Sequence, residues 1–210
     1  MEDGKKNTIY LLDDDPLILG RLGYILEDHG YATEVYTDPT EFLQLQAPLS
    51  ESCLLVDFQM PKMDGIQVQN FVRDRNWNLP MIFMSAYGTV PVVATAMKQG
   101  GVDFIQKPLI KAQVLSAVDR ALHISRERHL ARTEAENARE MLGSLTEREF
   151  DVLDLLVRGL LNKQIAVGLG IGERTVKVHR SRILTKLGVN AVPLLVPIVM
   201  AAGLKPEKIR

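Results

Sequence analysis

Polar residues of three kinds, set at the ends of four short strand-like runs, define the chemistry open to this chain. Leu54-Leu55-Val56 runs into Asp57, and Thr8-Ile9-Tyr10-Leu11-Leu12 runs into Asp13, Asp14 and Asp15. Pro80 to Met84 runs into Ser85, and Val102 to Gln106 delivers Lys107. Short apolar runs bounded by turn residues read as buried strands, and in an open α/β sheet the carboxyl ends of parallel strands face one crevice. Asp57, followed by a Met60-Pro61 turn and an Asp64-Gly65 turn, is either a turn former or a nucleophile or metal ligand. Its company decides between them. Acids gathered from two strand tips can hold a hard divalent ion with few protein ligands. A carboxylate can attack phosphorus in line while a cation and an ammonium neutralise the phosphoryl oxygens, so the set has the parts of a phosphoryl-transfer site.

The elements that must position these groups alternate between strand and helix. Asp15-Pro16 is an N-cap with proline at the first helical position, opening an amphipathic stretch through Ile18, Leu22, Ile25 and Leu26 to Gly30. That explains Asp15 and leaves Asp13 and Asp14 for other work. Thr33 to Tyr36 reads as a strand, and Asp38-Pro39-Thr40-Glu41 as a capping box entering a helix. Ile66 to Arg73 reads as a helix, Asn76-Trp77-Asn78 as a loop with Trp77 as its cover, and Pro91 to Lys98 as a further helix ending at Gly100-Gly101. Ala86-Tyr87-Gly88 forms the loop after Ser85. A βα repeat of this kind predicts a doubly wound parallel sheet.

Leu11-Leu12-Asp13-Asp14-Asp15-Pro16, Asp57-x-x-Met60-Pro61-x-Met63-Asp64-Gly65, Met84-Ser85-Ala86 and Phe104-Ile105-Gln106-Lys107-Pro108 together resemble the receiver domain of two-component response regulators. The resemblance implies a flavodoxin-like, five-stranded fold over about residues 7–122. It makes Asp57 the acceptor of a phosphoryl group from a phosphohistidine of a sensor histidine kinase. It implies Mg²⁺ or Mn²⁺ held by Asp14, Asp57 and the backbone carbonyl of Gln59, with Asp13 acting through water. Ser85 and Lys107 would bind the phosphoryl oxygens, Phe104 would be an aromatic switch, and the Lys107-Pro108 bond would be cis. Which of the N-terminal acids meet the metal follows from the resemblance and not from spacing.

From Lys111 to Met141 the chain has no strong helix breaker and can form one long helix. Its apolar stripe, Val114, Leu115, Val118 and Leu122, fades beyond His123, so residues 123–143 read as a solvated helical linker with no coiled-coil seam. Thr146-Glu147-Arg148-Glu149 is a capping box that starts a helix with Phe150, Leu153, Leu156 and Val157 inward. Asn162 to Leu169, the turn at Gly170-Ile171-Gly172, and a helix from about Arg174 to Leu187 follow, a helix-turn-helix pattern with a basic outer face. Leu145-Thr146-x-Arg148-Glu149, Gly159-x-x-Asn162-Lys163-Gln164-Ile165-Ala166 and Thr175-Val176-Lys177-Val178-His179-Arg180 resemble the LuxR-type DNA-binding domain of NarL/FixJ response regulators over about residues 144–203, which implies a DNA-binding domain at 144–210. The resemblance implies that Lys177, Val178 and Ser181 face bases, with Arg182 on the same face, and that Thr175, Arg180 and Lys186 approach phosphates. Pro193 and Pro197 depart from that family and predict a kinked or shortened final helix.

Charge agrees with two units of different partners: residues 1–143 carry 14 Lys+Arg against 20 Asp+Glu, and residues 144–210 carry 11 against 6. Cys53, the single cysteine, lies within an apolar run and reads as a buried core residue. Met1 to Lys6 has no apolar leader and no stretch has the length of a membrane span, so a soluble cytoplasmic protein without a membrane partner is expected. The expected whole is a non-enzymatic response regulator: a receiver, a helical linker and a small all-α helix-turn-helix domain. It would bind double-stranded promoter DNA, dimerise on phosphorylation, and act on RNA polymerase. Two rivals stand beside it. One is a metal-dependent phosphatase whose nucleophile is Asp13 in Asp13-x-Asp15, and the other is a DNA-binding protein whose receiver works without phosphorylation.

Overall fold

In the computed structural model, which describes residues 7–48, 51–86 and 90–205, the apolar runs become a five-stranded sheet. Its strands are β1 (Thr8–Leu12), β2 (Ala32–Tyr36), β3 (Ser52–Asp57), β4 (Met81–Ser85) and β5 (Asp103–Gln106), all parallel, in the order β2-β1-β3-β4-β5. Between and after them run α1 (Pro16–Glu27), α2 (Pro39–Phe42), α3 (Gly65–Asp74), α4 (Val90–Lys98) and α5 (Lys111–Gly143). β1, β3 and β4 are buried along their whole length, which is why they read as unbroken apolar runs. Their side chains still alternate between two faces. Ile9, Leu11, Cys53, Leu55, Ile82 and Met84 pack with Leu22 and Leu26 of α1 and Val114 and Val118 of α5. Tyr10, Leu12, Leu54, Val56 and Phe83 pack with Phe42 of α2, Val68 of α3 and Ala96 of α4.

Local signals account for the helix starts. The Asp15 carboxylate accepts from the Leu17 amide at 2.9 Å with Pro16 as the first helical residue. Asp38 turns its carboxylate to the amide of Thr40 at 2.8 Å, a simple cap on a one-turn helix in place of the reciprocal box expected with Glu41. Trp77 covers its loop by standing edge-on to Phe42 and Phe71, with ring centroids 6.0 and 5.6 Å away. Cys53 is fully buried, and burial pushes its thiol above the ordinary range. Tyr87-Gly88 and Met1 to Lys6 lie outside the described residues.

The chain divides into two compact units between His129 and Leu130. α5 is continuous for 33 residues; residues 126–134 are exposed, while Ala138 and Leu142 enter the core of the second unit. That core is completed by α6 (Glu147–Val157), α7 (Asn162–Leu169), α8 (Glu173–Lys186) and α9 (Leu195–Ala201), through Val152, Leu153, Leu156, Ile165, Val176, Ile183 and Leu195. Phe150, expected inward, is 39% exposed, and Glu149 and Val152 are buried in its stead. The stripe is rotated because Glu149 points inward to a cationic partner. Pro193 opens a 3-10 turn, Val192–Leu194, and Pro197 stands third in the seven-residue α9. The final helix is therefore short, with Pro197 in the first turn, where its missing N–H has no intrahelical partner to lose. Among the described residues no helix is long and apolar enough to cross a membrane.

Candidate phosphoryl-transfer centre and nucleic-acid interface

Register sets the tips of four strands side by side. Leu12 lies opposite Val56, so the next residues, Asp13 and Asp57, are neighbours; Asp57 lies opposite Met84, one residue before Ser85; and Ser85 lies opposite Gln106, one before Lys107. The backbone ties the row together through Phe58 N–H to the Met84 carbonyl at 2.7 Å and Lys107 N–H to the Ser85 carbonyl at 2.8 Å. The Lys107-Pro108 bond is cis, as expected.

At the centre, the Lys107 ammonium sits 2.8 Å from Asp13 Oδ2 and 2.7 Å from Asp57 Oδ1. The other Asp13 oxygen accepts from the Asp15 amide at 3.0 Å, and the other Asp57 oxygen from the Gln59 amide at 3.1 Å. Burial pushes the Asp13 carboxyl above the ordinary carboxylate range, against the pull of Lys107 and the Asp15 amide. For Lys107, burial disfavours the charge, but hydrogen bonds and attraction from Asp13 and Asp57 outweigh it and hold the ammonium above its ordinary value. Ser85 is buried beside this cluster, and Phe104, on β5, is half-buried against Phe83's side of the sheet.

Asp14 is exposed, and one carboxylate oxygen from each of Asp13, Asp14 and Asp57 can come within 4.8 Å of the others. Asp15 stands apart from that group because its carboxylate caps α1. Three carboxylates against the single ammonium of Lys107 leave two negative charges, the charge a divalent cation balances, and the all-oxygen donor set suits a hard ion. The residues therefore fit a divalent cation.

In the second unit, Gly170 takes the left-handed conformation at φ +65° and ends α7, with Ile171 N–H donating to the Ala166 carbonyl at 3.0 Å. The chain then re-enters α8, whose Val176 and Ile183 are buried. Thr175, Lys177, Val178, Ser181 and Arg182 are exposed on α8, and Arg180 is half-buried. Lys177 also pairs with Glu173 one turn earlier at 3.4 Å. Lys186, expected to approach phosphates, is exposed but already engaged. Its ammonium donates to Glu149 Oε2 at 2.7 Å and to the Ser144 carbonyl at 2.9 Å, so it faces the domain's own framework. Glu149 and Arg148 were legible only as motif and cap residues; Arg148 donates to the Leu169 carbonyl at 2.6 Å, and a partner so distant in sequence leaves no local spacing to read.

A strand-tip triad of acid, acid and lysine on a five-stranded parallel sheet, followed by a helix-turn-helix unit, defines a receiver coupled to a DNA-binding domain. The family described as response regulator receiver domain matches residues 9–119, and the luxR family of bacterial regulatory proteins matches residues 143–198. The transcriptional regulatory protein FixJ of Azorhizobium caulinodans is 34% identical over 198 residues, spanning 94% of each chain. TdiR of Thauera aromatica is 34% identical over 197 residues, spanning 94% of this chain and 87% of its own. Among solved structures, response regulator StyR matches with a TM-score of 0.82 at 37% identity over 93% of this chain and 98% of its own. Full-length FixJ from B. japonicum matches with a TM-score of 0.58 at 31% identity, over 94% and 98%. The chain belongs to the response regulators of the NarL/FixJ type, phosphate-accepting regulators of transcription that bind DNA.

Proposed function

We propose that Asp57 is the phosphoacceptor, loaded by a sensor histidine kinase, and that loading promotes dimerisation and promoter binding through α8. The observation that carries this is the Lys107 ammonium bridging Asp13 and Asp57 at adjoining strand tips. An Asp57 oxygen attacks phosphorus as the bond from phosphorus to the donor's imidazole nitrogen breaks; the ring leaves with the electron pair, as neutral histidine when its other nitrogen has taken a proton from water, and an aspartyl phosphate remains. An ammonium has three N–H donors and Lys107 uses two on carboxylates, leaving one for a phosphoryl oxygen. The Ser85 hydroxyl, at the neighbouring tip, is the second phosphoryl partner. Asp14, Asp57 and the Gln59 carbonyl would hold Mg²⁺ or Mn²⁺, with Asp13 behind a water. Bound there, the cation supplies charge neutralisation at the phosphoryl oxygens.

The added charge, close to two units, draws Ser85 and Lys107 toward the phosphoryl group, and Phe104 follows as the switch of the α4–β5 surface. Dimers formed on that surface bring two copies of α8 to adjacent half-sites, with Lys177, Val178 and Ser181 at base edges and Thr175, Arg180 and Arg182 near phosphates. RNA polymerase is the further partner, the cytoplasm the place, and slow hydrolysis of the aspartyl phosphate the reset. The functional division is a receiver at 7–122, a linker at 123–143 whose last turns join the core of the following unit through Ala138 and Leu142, and a DNA-binding domain at 144–210. A phosphatase using Asp13 as nucleophile is disfavoured, since that carboxylate is fully buried and held by Lys107 and the Asp15 amide.

The test is Asp57→Asn with a small phosphodonor and Mg²⁺, followed by intact mass and sedimentation. The unaltered chain gains one phosphoryl mass and sediments faster, and Asp57→Asn does neither. Phosphoryl gain on Asp57→Asn refutes the acceptor assignment, and unchanged sedimentation of the phosphorylated chain refutes the dimer.

A further inference from the structure

We infer that Glu149 is a positioning residue for DNA recognition: through Lys186 it fixes the end of α8 against the turn that joins α5 to α6. The inference rests on α8 being the helix that meets DNA. Glu149 is 3% exposed, and no other charged residue among the described residues of its unit is as deeply buried. One of its oxygens, Oε2, accepts from the Thr146 amide at 3.0 Å and from the Lys186 ammonium at 2.7 Å. The same ammonium donates to the Ser144 carbonyl at 2.9 Å. A capping box needs only the first of these bonds, so the lysine, a surface residue whose ammonium turns back to Glu149, is additional to helix capping. Lys186 is the last residue of α8 and Ser144 the first after α5, so the ends of three segments meet at one ion pair: Thr146 at the carboxylate and Ser144 at the ammonium. The pair holds the carboxyl of Glu149 down to about 2, with Lys186 the largest cause, so it is ionised wherever the domain is folded near neutrality.

The neighbouring residue serves the other helix of the motif. Arg148 donates to the carbonyl of Leu169, the last residue of α7, at 2.6 Å. Adjacent residues at the start of α6 thus hold the ends of both α7 and α8. Helix ends leave carbonyls without intrahelical partners, and cations placed there fix the helix where it stops. Since base readout depends on the depth and angle at which a helix enters the major groove, a shift of its anchored end moves Lys177, Val178 and Ser181 together. Lys186 accordingly acts on DNA through the fold and not by touching phosphate.

The two roles are separable by salt dependence. The probe is a DNA duplex recovered from randomised sequence by binding to the unaltered, phosphorylated full-length chain. Positioning predicts that Lys186→Met and Glu149→Gln each weaken binding about tenfold, the loss of a charge-assisted hydrogen bond. It further predicts that the double variant is no weaker than either single one, that Lys186→Arg binds normally, and that the slope of log affinity against log salt is unchanged. A phosphate contact predicts a slope shallower by about 0.9 for Lys186→Met and no loss for Glu149→Gln, and that result overturns the inference. Measurements are made below the melting transition, checked by circular dichroism; if Glu149→Gln is unfolded, the Lys186→Met and Lys186→Arg slopes decide alone. A purely structural brace predicts lowered melting temperature with unchanged affinity in the folded variants, which also overturns it. Lys177→Ala is the control: if it leaves affinity and slope unchanged, the recognition-helix reading fails instead.

Discussion

Replacing Gly65 by Ala sets helix propensity against packing beside Asp57, and the structure says which wins. Gly65 opens α3, where alanine is the better helix former by at most about 1 kcal/mol. A Cβ there would lie 3.0 Å from the Asp57 carbonyl oxygen and 3.1 and 3.2 Å from two carbons of the Phe83 ring. Phe83 is fully buried and has no room to yield, because a Cβ built at Gly101 would come as near as 2.9 Å to the ring's other side. The methyl must therefore press on the backbone of Asp57, and overpacking of this kind costs about 1–3 kcal/mol. The net expectation is a loss of about 1–2 kcal/mol, or a urea midpoint lower by about 0.5–1 M for a small domain. Trp77 is the single tryptophan and packs in the first unit, so its fluorescence follows that unit's unfolding alone. On the proposal that Asp57 attacks phosphorus, displacing its carboxylate should also slow phosphoryl uptake severalfold, since misplacement by about 1 Å can cost about a hundredfold. Gly20→Ala is the contrast: it lies within α1 with nothing within 4 Å of its Cβ, and should gain about 0.5–1 kcal/mol. An unchanged or raised midpoint for Gly65→Ala, with normal uptake, would refute the packing argument.

Asp14→Asn should weaken the Mg²⁺ dependence of phosphoryl uptake at least about tenfold while changing stability by less than about 0.5 kcal/mol, because Asp14 is exposed; titrating uptake against Mg²⁺ and melting the same sample checks both halves. Asp13→Asn should leave the first unit as stable or stabilise it by up to about 1 kcal/mol at neutral pH, since burial disfavours the Asp13 charge, Asp57 still holds Lys107 and an amide oxygen can still accept from the Asp15 amide. The second unit should lose stability in acid through Glu149: its folded value of about 2 lies below the unfolded 4.5, so the contribution is whole above pH 4.5 and lost as pH falls toward 2. Glu149→Gln should flatten that part of the melting-temperature curve. Chelating divalent cations with EDTA should abolish phosphoryl uptake by the unaltered chain and leave its fold intact, as seen by mass and circular dichroism.

The strand tips at Asp13, Asp57 and Ser85 are legible because each follows an apolar run, and β1, β3 and β4 are buried on both faces; Lys107 follows a mixed run, Asp103 to Gln106, and is the weaker signal. The alternation of strand and helix fixed the sheet class. What sequence could not supply was pairing across distance. Lys107 and Asp13 are 94 positions apart, and only the register of four strands brings them together. The same holds for Glu149 and Lys186, 37 positions apart: a lysine near the end of a basic helix looks like a phosphate contact until its partner is seen. Phe150 was assigned inward because apolar spacing takes a buried glutamate for a surface residue and turns the helix to hide the ring. Proline chemistry was read correctly, since the cost of Pro197 is avoided only by starting α9 beside it.

Cys53 gives the acceptor strand a clock of its own. The thiol sits four positions before Asp57 on β3, sealed from solvent and held protonated by its surroundings. A thiol-specific reagent can reach it only in molecules whose central strand has come away from the sheet, so the slow rate of modification measures how often that happens. Comparing the rate before and after phosphoryl loading would weigh, in one unaltered molecule, how firmly the new charge at the strand's tip locks the strand behind it.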